Sequence, residues 1–174
     1  MKKLFVHVDG SSRGNPGEAS VGVVITDEKG RVIQQVGKVI GRTTNNVAEY
    51  KALIEGARLA VQHAPDDVVF LTDSQLLANQ INGVYKVREP HLAHLNRLAL
   101  EALSRLPKWR VNFVEREGNN SAHRLAEAAF FERNRQERER SQLLREIGIL
   151  IESLPLEELR KVHAQVRALR SHLP

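Results

Sequence analysis

The amino-acid sequence predicts an α/β fold built on one mixed sheet, antiparallel in its first half and parallel in its second. Three observations carry this. Three β-rich apolar runs follow one another near the amino terminus with only turn-length gaps between them. Strand-like and helix-like periods then alternate. A chain of 174 residues with 41% hydrophobic side chains has the size and apolar content of one ordinary domain with a small extension.

The elements can be justified in order. Residues 3–9 (KLFVHVD), 20–26 (SVGVVIT) and 31–39 (RVIQQVGKV) are the three apolar runs, the last entered through the turn-forming DEKG. Such short connections make an antiparallel meander the simplest pairing. From Asn45 to Gln62, Val47, Tyr50, Leu53, Ile54, Ala57 and Val61 recur at helical spacing, so an amphipathic helix is expected there. DDVVFLTDS then reads as a buried strand, SQLLANQI and LAHLNRLALEALSRL as helices, WRVNFVER as a strand, and a last helix begins near Asn120. Strands separated by helices are joined by crossovers, which makes this half of the sheet parallel.

Composition removes several function classes. The chain has no cysteine, which excludes disulfides, thiolate zinc sites and thiol nucleophiles. No apolar run approaches the roughly 18–20 residues of a membrane span. MKKLFVHVDG turns polar too soon for a signal peptide, so a cytoplasmic location is expected. The net charge of +5 is compatible with a polyanionic partner and equally with a merely basic surface.

Three acids stand at element ends. Asp9 closes the first strand, Asp73 closes the fourth, and Glu49 lies one turn into the first helix. If strands one and four are parallel neighbours, both aspartates emerge at the carboxyl edge of the sheet, where α/β sheets bind ligands, and Glu49 can lean over them. A solvated turn is the commoner fate of any single acid. Three carboxylates converging on one place repel strongly unless divalent cations sit between them.

The segments VDGSSRGNPGEASVGVVI, GRTTNNVAEYKALIEGARLA and LTDSQLLANQINGVYKV, in that order, resemble the type 1 ribonucleases H over residues 1–132. The resemblance implies a ribonuclease H-like five-stranded sheet of order 3-2-1-4-5 flanked by helices. It also implies cleavage of the RNA strand of RNA/DNA hybrids with two divalent metal ions, Mg²⁺ or Mn²⁺, held by four acidic residues. Asp9, Glu49 and Asp73 match the first three, and His123 falls where the family has its fourth Asp. By that match Asp9 bridges both ions, Asp73 shares the ion on the side of the attacking water, and Glu49 serves the second ion and approaches the ribose 2′-hydroxyl.

The resemblance extends to substrate contacts. Asn15, Asn45, Asn46 and Gln75 match positions that touch the minor groove and 2′-hydroxyls, while Arg42 and Thr44 match a pocket for a phosphate of the DNA strand. Glu89 stands where that pocket usually has Asn, and weakens it unless paired with a neighbour such as Arg88. The same residues have local roles open to them: Asn15 shaping a turn before Pro16, and Asn45 or Asn46 capping the first helix. A basic substrate-gripping insertion is missing between Gln80 and Leu92. VEREGNN replaces the loop in which some relatives carry a mobile histidine, leaving Arg116 as one substitute.

His123 poses the main question. Neutral imidazole can coordinate a divalent ion, so it keeps a ligand while removing one negative charge, and it favours manganese over magnesium. Two other readings stay open: a catalytically impaired nucleic-acid-binding protein, and a superfamily nuclease with another substrate. His7 shares Asp9's side of its strand and reads as a buried, hydrogen-bonded histidine. His63, His91 and His94 read as exposed, and Trp109 as edge packing.

Residues 133–174 read as a charged linker and an amphipathic helical hairpin. Leu143, Ile147, Leu150 and Leu154 form one apolar stripe, and Leu156, Leu159, Val162, Val166 and Leu169 another, separated by Pro155. Docking on the chain's own domain, a homodimer and a different protein are all able to bury them.

Overall fold

A computed structural model describes residues 2–170 of the chain. Strands β1 (Lys3–Gly14), β2 (Gly17–Thr26) and β3 (Val32–Thr43) form the meander. They are followed by α1 (Asn45–Gln62), β4 (Asp67–Thr72), α2 (Gln75–Ile81), α3 (Pro90–Leu103) and β5 (Trp109–Phe113). A single 3₁₀ turn, Arg116–Asn119, leads into α4 (Asn120–Glu152), and α5 (Leu156–Arg170) is last. The sheet order is β3-β2-β1-β4-β5, with β1–β2 and β2–β3 antiparallel and β1–β4 and β4–β5 parallel. Both the order and the change from antiparallel to parallel match the expectation from sequence.

The strands run further than their apolar cores. β1 and β2 stay paired out to Gly14↔Gly17, and β2 and β3 to Gly17↔Thr43. Hydrophobic patterning marks only residues that face the core. Beyond it, Ser11, Ser12 and Arg13 remain extended because ladder hydrogen bonds, not burial, hold them. On β1 the even positions Leu4, Val6 and Val8 are fully buried and meet α1, where Gly56 lies against the Val6 and Val8 methyls. The core they share includes Val23, Leu53, Phe70 and Leu103.

Two glycines set how closely helices approach the central strands. A Cβ at Gly10 would lie 2.2 Å from the backbone of Ala48 and Glu49, so the first turn of α1 rests directly on β1. On the strand positions facing the other side, a Cβ at Gly22 would lie 2.0 Å from the Ala122 carbonyl oxygen of α4. Gly22 is the β2 partner of Asp9, so the start of α4 comes down beside that carboxylate.

Helix α1 begins where Thr44, in an extended conformation, accepts a hydrogen bond at its side chain from Val47 N (3.4 Å). Thr44 therefore caps the helix, and not Asn45 or Asn46. Asn45 is already its first residue, because the Thr44 hydroxyl reaches the open amide of the first turn.

Contacts divide the chain into Met1–Arg133 and Asn134–Pro174. The charged run after residue 132 is helical, as part of α4 through Glu152, and Pro155 follows its end. Within the second unit Ile151, Leu154, Leu159 and Val162 are half-buried near the turn between α4 and α5, while Leu143, Ile147, Leu150, Val166 and Leu169 are exposed. Among the described residues none of α5 is buried, and no helix is long and apolar enough to cross a membrane.

Candidate active site

The parallel register Lys3↔Asp67 through His7↔Leu71 sets the middle of β1 beside the carboxyl end of β4, so Asp9 does not close its strand as expected: β1 runs on to Gly14. Two residues further along each chain stand Asp9 and Asp73. Asp73 sits in a tight turn, with Ser74 N donating to Thr72 Oγ1 (3.0 Å) and the Ser74 hydroxyl capping α2 at Leu77 N (3.3 Å). Glu49 reaches down from α1 and accepts from Gly10 N at Oε2 (3.2 Å). One oxygen from each of Asp9, Glu49 and Asp73 lies within 4.8 Å of the other two.

This convergence is electrostatically costly. Burial first, then the Asp73 charge, raises the Asp9 pKa, with His123 and Arg116 opposing the shift. Glu49 is pushed well above the ordinary glutamate range, mostly by burial and then by the charges of Asp9 and Asp73. An all-oxygen set of acids that resist ionisation together is the donor chemistry that divalent magnesium or manganese suits.

His123 stands in the first turn of α4 and contacts the cluster at Asp9, with Nδ1 3.3 Å from Asp9 Oδ2. Arg116 Nη2 lies 3.0 Å from His123 Nε2, and Arg116 Nη1 3.9 Å from Asp73 Oδ2. Arginine has only donors, so a ring accepting at Nε2 and donating from Nδ1 to Asp9 satisfies both contacts. Ser11 Oγ donates to Glu127 Oε1 (3.1 Å), and the Arg13 guanidinium lies 4.0 Å from the Phe130 ring centroid. These contacts tie the next turns of α4 to β1 and fix the side from which His123 enters.

Asn119, at the end of the 3₁₀ turn, was not foreseen. It is fully buried, and its Nδ2 donates both to the Val8 carbonyl (2.8 Å) and to Asp73 Oδ1 (2.8 Å). It thus clamps one of the three acids to the backbone beside another. The only sequence signal was an asparagine in the Gly/Asn-rich loop before the last helix, where a cap is the ordinary reading. His7 lies behind it and is half-buried rather than sealed. Burial lowers the His7 pKa against the opposing pull of the Asn119 side chain and the Gly118 backbone. Its Nδ1 and Asn119 Oδ1 are both buried without a well-formed hydrogen bond among the described residues.

The expected substrate residues lie on β3, α1, α2 and the turn between β1 and β2. Asn15 Oδ1 accepts from Asn45 N (3.2 Å), linking the β1–β2 turn to the start of α1. Arg42, Asn45, Asn46 and Gln75 are exposed at the ends of β3, α1 and α2, and Thr44 is half-buried as a cap. Glu89 pairs with His91 Nε2 (3.3 Å) and not with Arg88, because the first turn of α3 carries His91 back toward it. His63 is half-buried, its Nε2 2.7 Å from Gln34 Oε1, so it is less exposed than expected. His91 and His94 are exposed, and Trp109 packs partly buried at the edge strand β5.

Fold and site together define the ribonuclease H class. The family model described as Reverse transcriptase-like matches residues 7–129, and the chain belongs to that family, among its type 1 ribonuclease H members. Ribonuclease HI of Halobacterium salinarum is 38% identical over 127 residues, which are 73% of this chain and 64% of that protein. The Bifunctional protein Rv2228c of Mycobacterium tuberculosis is 39% identical over 128 residues, 73% of this chain and 35% of that protein. The chain thus spans less than two thirds of either relative. The solved structure of LC11-RNase H1 in complex with an RNA/DNA hybrid superposes with a TM-score of 0.69 at 38% identity, covering 74% of this chain and 97% of that one.

Proposed function

We propose that the chain is an endoribonuclease that hydrolyses the RNA strand of RNA/DNA hybrids with two divalent cations, Mg²⁺ or Mn²⁺. The observation that carries this is the convergence of Asp9, Glu49 and Asp73 within 4.8 Å at the carboxyl edge of a ribonuclease H sheet. The hybrid bound by LC11-RNase H1 and the ribonuclease name of the Halobacterium relative support the substrate.

Asp9, Glu49 and Asp73 would hold the cations, with His123 joining through the Asp9 side. Bound there, divalent cations neutralise the acids, make water a better nucleophile and stabilise charge on the scissile phosphate and leaving oxygen. Asp9, on the central strand β1, would be the ligand that the two cations share. Asp73 is held at Oδ1 by Asn119 and has Arg116 3.9 Å from Oδ2, the oxygen left to serve a cation. Glu49 faces the 2′-hydroxyl side, and with Asn15, Asn45, Asn46 and Gln75 reads the groove that distinguishes RNA. Arg42 and Thr44 serve the DNA phosphate, with Thr44 committed in part to its cap. Residues 134–174, beyond the unit that carries every proposed ligand, contribute to association rather than cleavage.

The second reading, a binding protein that has lost catalysis, is favoured by one observation only: a histidine in place of a carboxylate. A labelled RNA/DNA hybrid incubated with Mg²⁺ or Mn²⁺, beside RNA/RNA, DNA/DNA and junction controls, separates the readings. Cleavage confined to the RNA strand of the hybrid, absent in Asp73→Asn, supports the nuclease. Tight hybrid binding without cleavage in either metal overturns it.

A further inference from the structure

We infer that the second unit is a dimerisation module in which α5 packs antiparallel against α5 of a second copy of this chain. The argument begins with what two helices cannot do alone. The pair closes only near its turn, where Ile151, Leu154, Leu159 and Val162 are half-buried. Away from the turn Leu143, Leu144, Ile147 and Leu150 of α4, with Val166 and Leu169 of α5, stay between 48% and 69% exposed. A single layer of two helices leaves such a face open, and a second layer of the same kind turns it into the core of a four-helix bundle.

The area is of the right size. Those six side chains expose on the order of 600 Å², whereas a standard interface takes about 800 Å² per partner, of which about 65% is apolar in homodimers, or roughly 500 Å². An ordinary surface scatters its apolar residues singly.

Charge decides the direction. On α5 the apolar residues Leu159, Val162, Val166 and Leu169 are spaced three, four and three apart, a pattern that reads alike from either end. The charges do not. The first turn carries Glu157 and Glu158, and the last carries Arg167 and Arg170. Parallel self-pairing sets acid on acid and base on base. An antiparallel partner sets Leu159 against Leu169, Val162 against Val166, and Glu158 against Arg170 of the other copy, so the apolar seam and the ionic flank are satisfied in one register. The Glu158–Lys161 pair within α5 leaves that acid a second carboxylate oxygen for the partner's arginine.

The full chain tests this by sedimentation at about 20 µM, well above a micromolar Kd. The expected result is a species of twice the chain mass. Ile147→Lys with Val166→Lys should leave a monomer that still cleaves hybrid at the parent rate, since every proposed ligand and substrate residue belongs to the first unit. Direction is read by oxidation, which the absence of native cysteine makes clean. An equimolar mixture of Val162→Cys and Val166→Cys chains should cross-link between the two species, and neither alone to itself. A monomeric parent overturns the proposal and leaves the face to a different protein. A dimer that survives the double lysine change overturns the surface, and self-cross-linking of each single-cysteine chain overturns the antiparallel direction.

Discussion

His123 Nδ1 lies 3.3 Å from Asp9 Oδ2, so the residue that departs from the four-acid pattern still touches one of the three acids. The contact follows from backbone placement. Gly22, the β2 partner of Asp9, admits the first turn of α4, and position 123 then projects over β1 whatever its side chain. Histidine at that point meets Asp9, and aspartate would differ from it in reach, charge and ligand preference.

His123→Asp should therefore shift the ratio of Mn²⁺- to Mg²⁺-supported cleavage toward magnesium, because an oxygen donor replaces a nitrogen donor. His123→Ala should weaken Mn²⁺ binding, read by calorimetry on the metal alone, by about tenfold or more. If neither substitution moves the metal ratio or the Mn²⁺ affinity, the ring is a hydrogen-bond partner of Asp9 and not a ligand.

The raised pKa values of Asp9 and Glu49 make a prediction about stability. An acid whose pKa is higher folded than unfolded holds more protons in the native state between the two values, so stability falls as pH rises through that window. Metal-free protein should thus carry a penalty at pH 8 that is absent below the ordinary carboxylate values, and added cation should relieve it. Glu49→Gln removes the charge and keeps an acceptor for Gly10 N. In EDTA, its melting temperature relative to the parent should rise as pH is raised from 5 to 8, and Mn²⁺ should stabilise it less. A gap that stays constant with pH contradicts the assignment.

Asn119 should couple stability to metal affinity. Replacing it by alanine leaves the buried Val8 carbonyl without its donor, a cost of about 1–3 kcal/mol, and frees Asp73 to rotate. A lower melting temperature together with reduced Mn²⁺ affinity and kcat, at nearly unchanged KM for hybrid, is the expected pattern. If stability falls while affinity and kcat hold, the clamp is structural alone.

What the sequence made legible was whatever repeats or ends an element. The helix from Asn45 to Gln62 was readable because six apolar residues recur on one face, and Asp9 and Asp73 because each follows an apolar run, although β1 itself continues past Asp9 to Gly14. Asn119 was not readable, since its importance comes from two partners 111 and 46 residues away. The extensions of β1, β2 and β3 were hidden for a related reason: their pairing continues past the core, where no hydrophobic alternation is required. The capping role of Thr44 was not legible because it depends on an extended backbone that composition does not reveal.

The approach of α4 to the sheet gives the last prediction. A methyl at Gly22 would sit 2.0 Å from the Ala122 carbonyl oxygen and 2.8 Å from Ala126 N, both backbone atoms that no side-chain rotation can move. The helix must lift, and with it Asn119 and His123, which are bound to Val8, Asp73 and Asp9. Overpacking of this kind costs about 1–3 kcal/mol, and rigid backbone on both sides places Gly22→Ala toward the upper end. Gly148→Ala is the control: it also adds a methyl to a glycine, but nothing lies within 4 Å and the position is helical, so up to about 1 kcal/mol of stabilisation is expected there. Thermal unfolding and hybrid cleavage measured on both should separate them, with Gly22→Ala melting lower and cleaving at least tenfold more slowly, and Gly148→Ala cleaving at the parent rate. Equal behaviour of the two variants would show that α4 does not need its close seat on β2 to bring His123 and Asn119 to the acids.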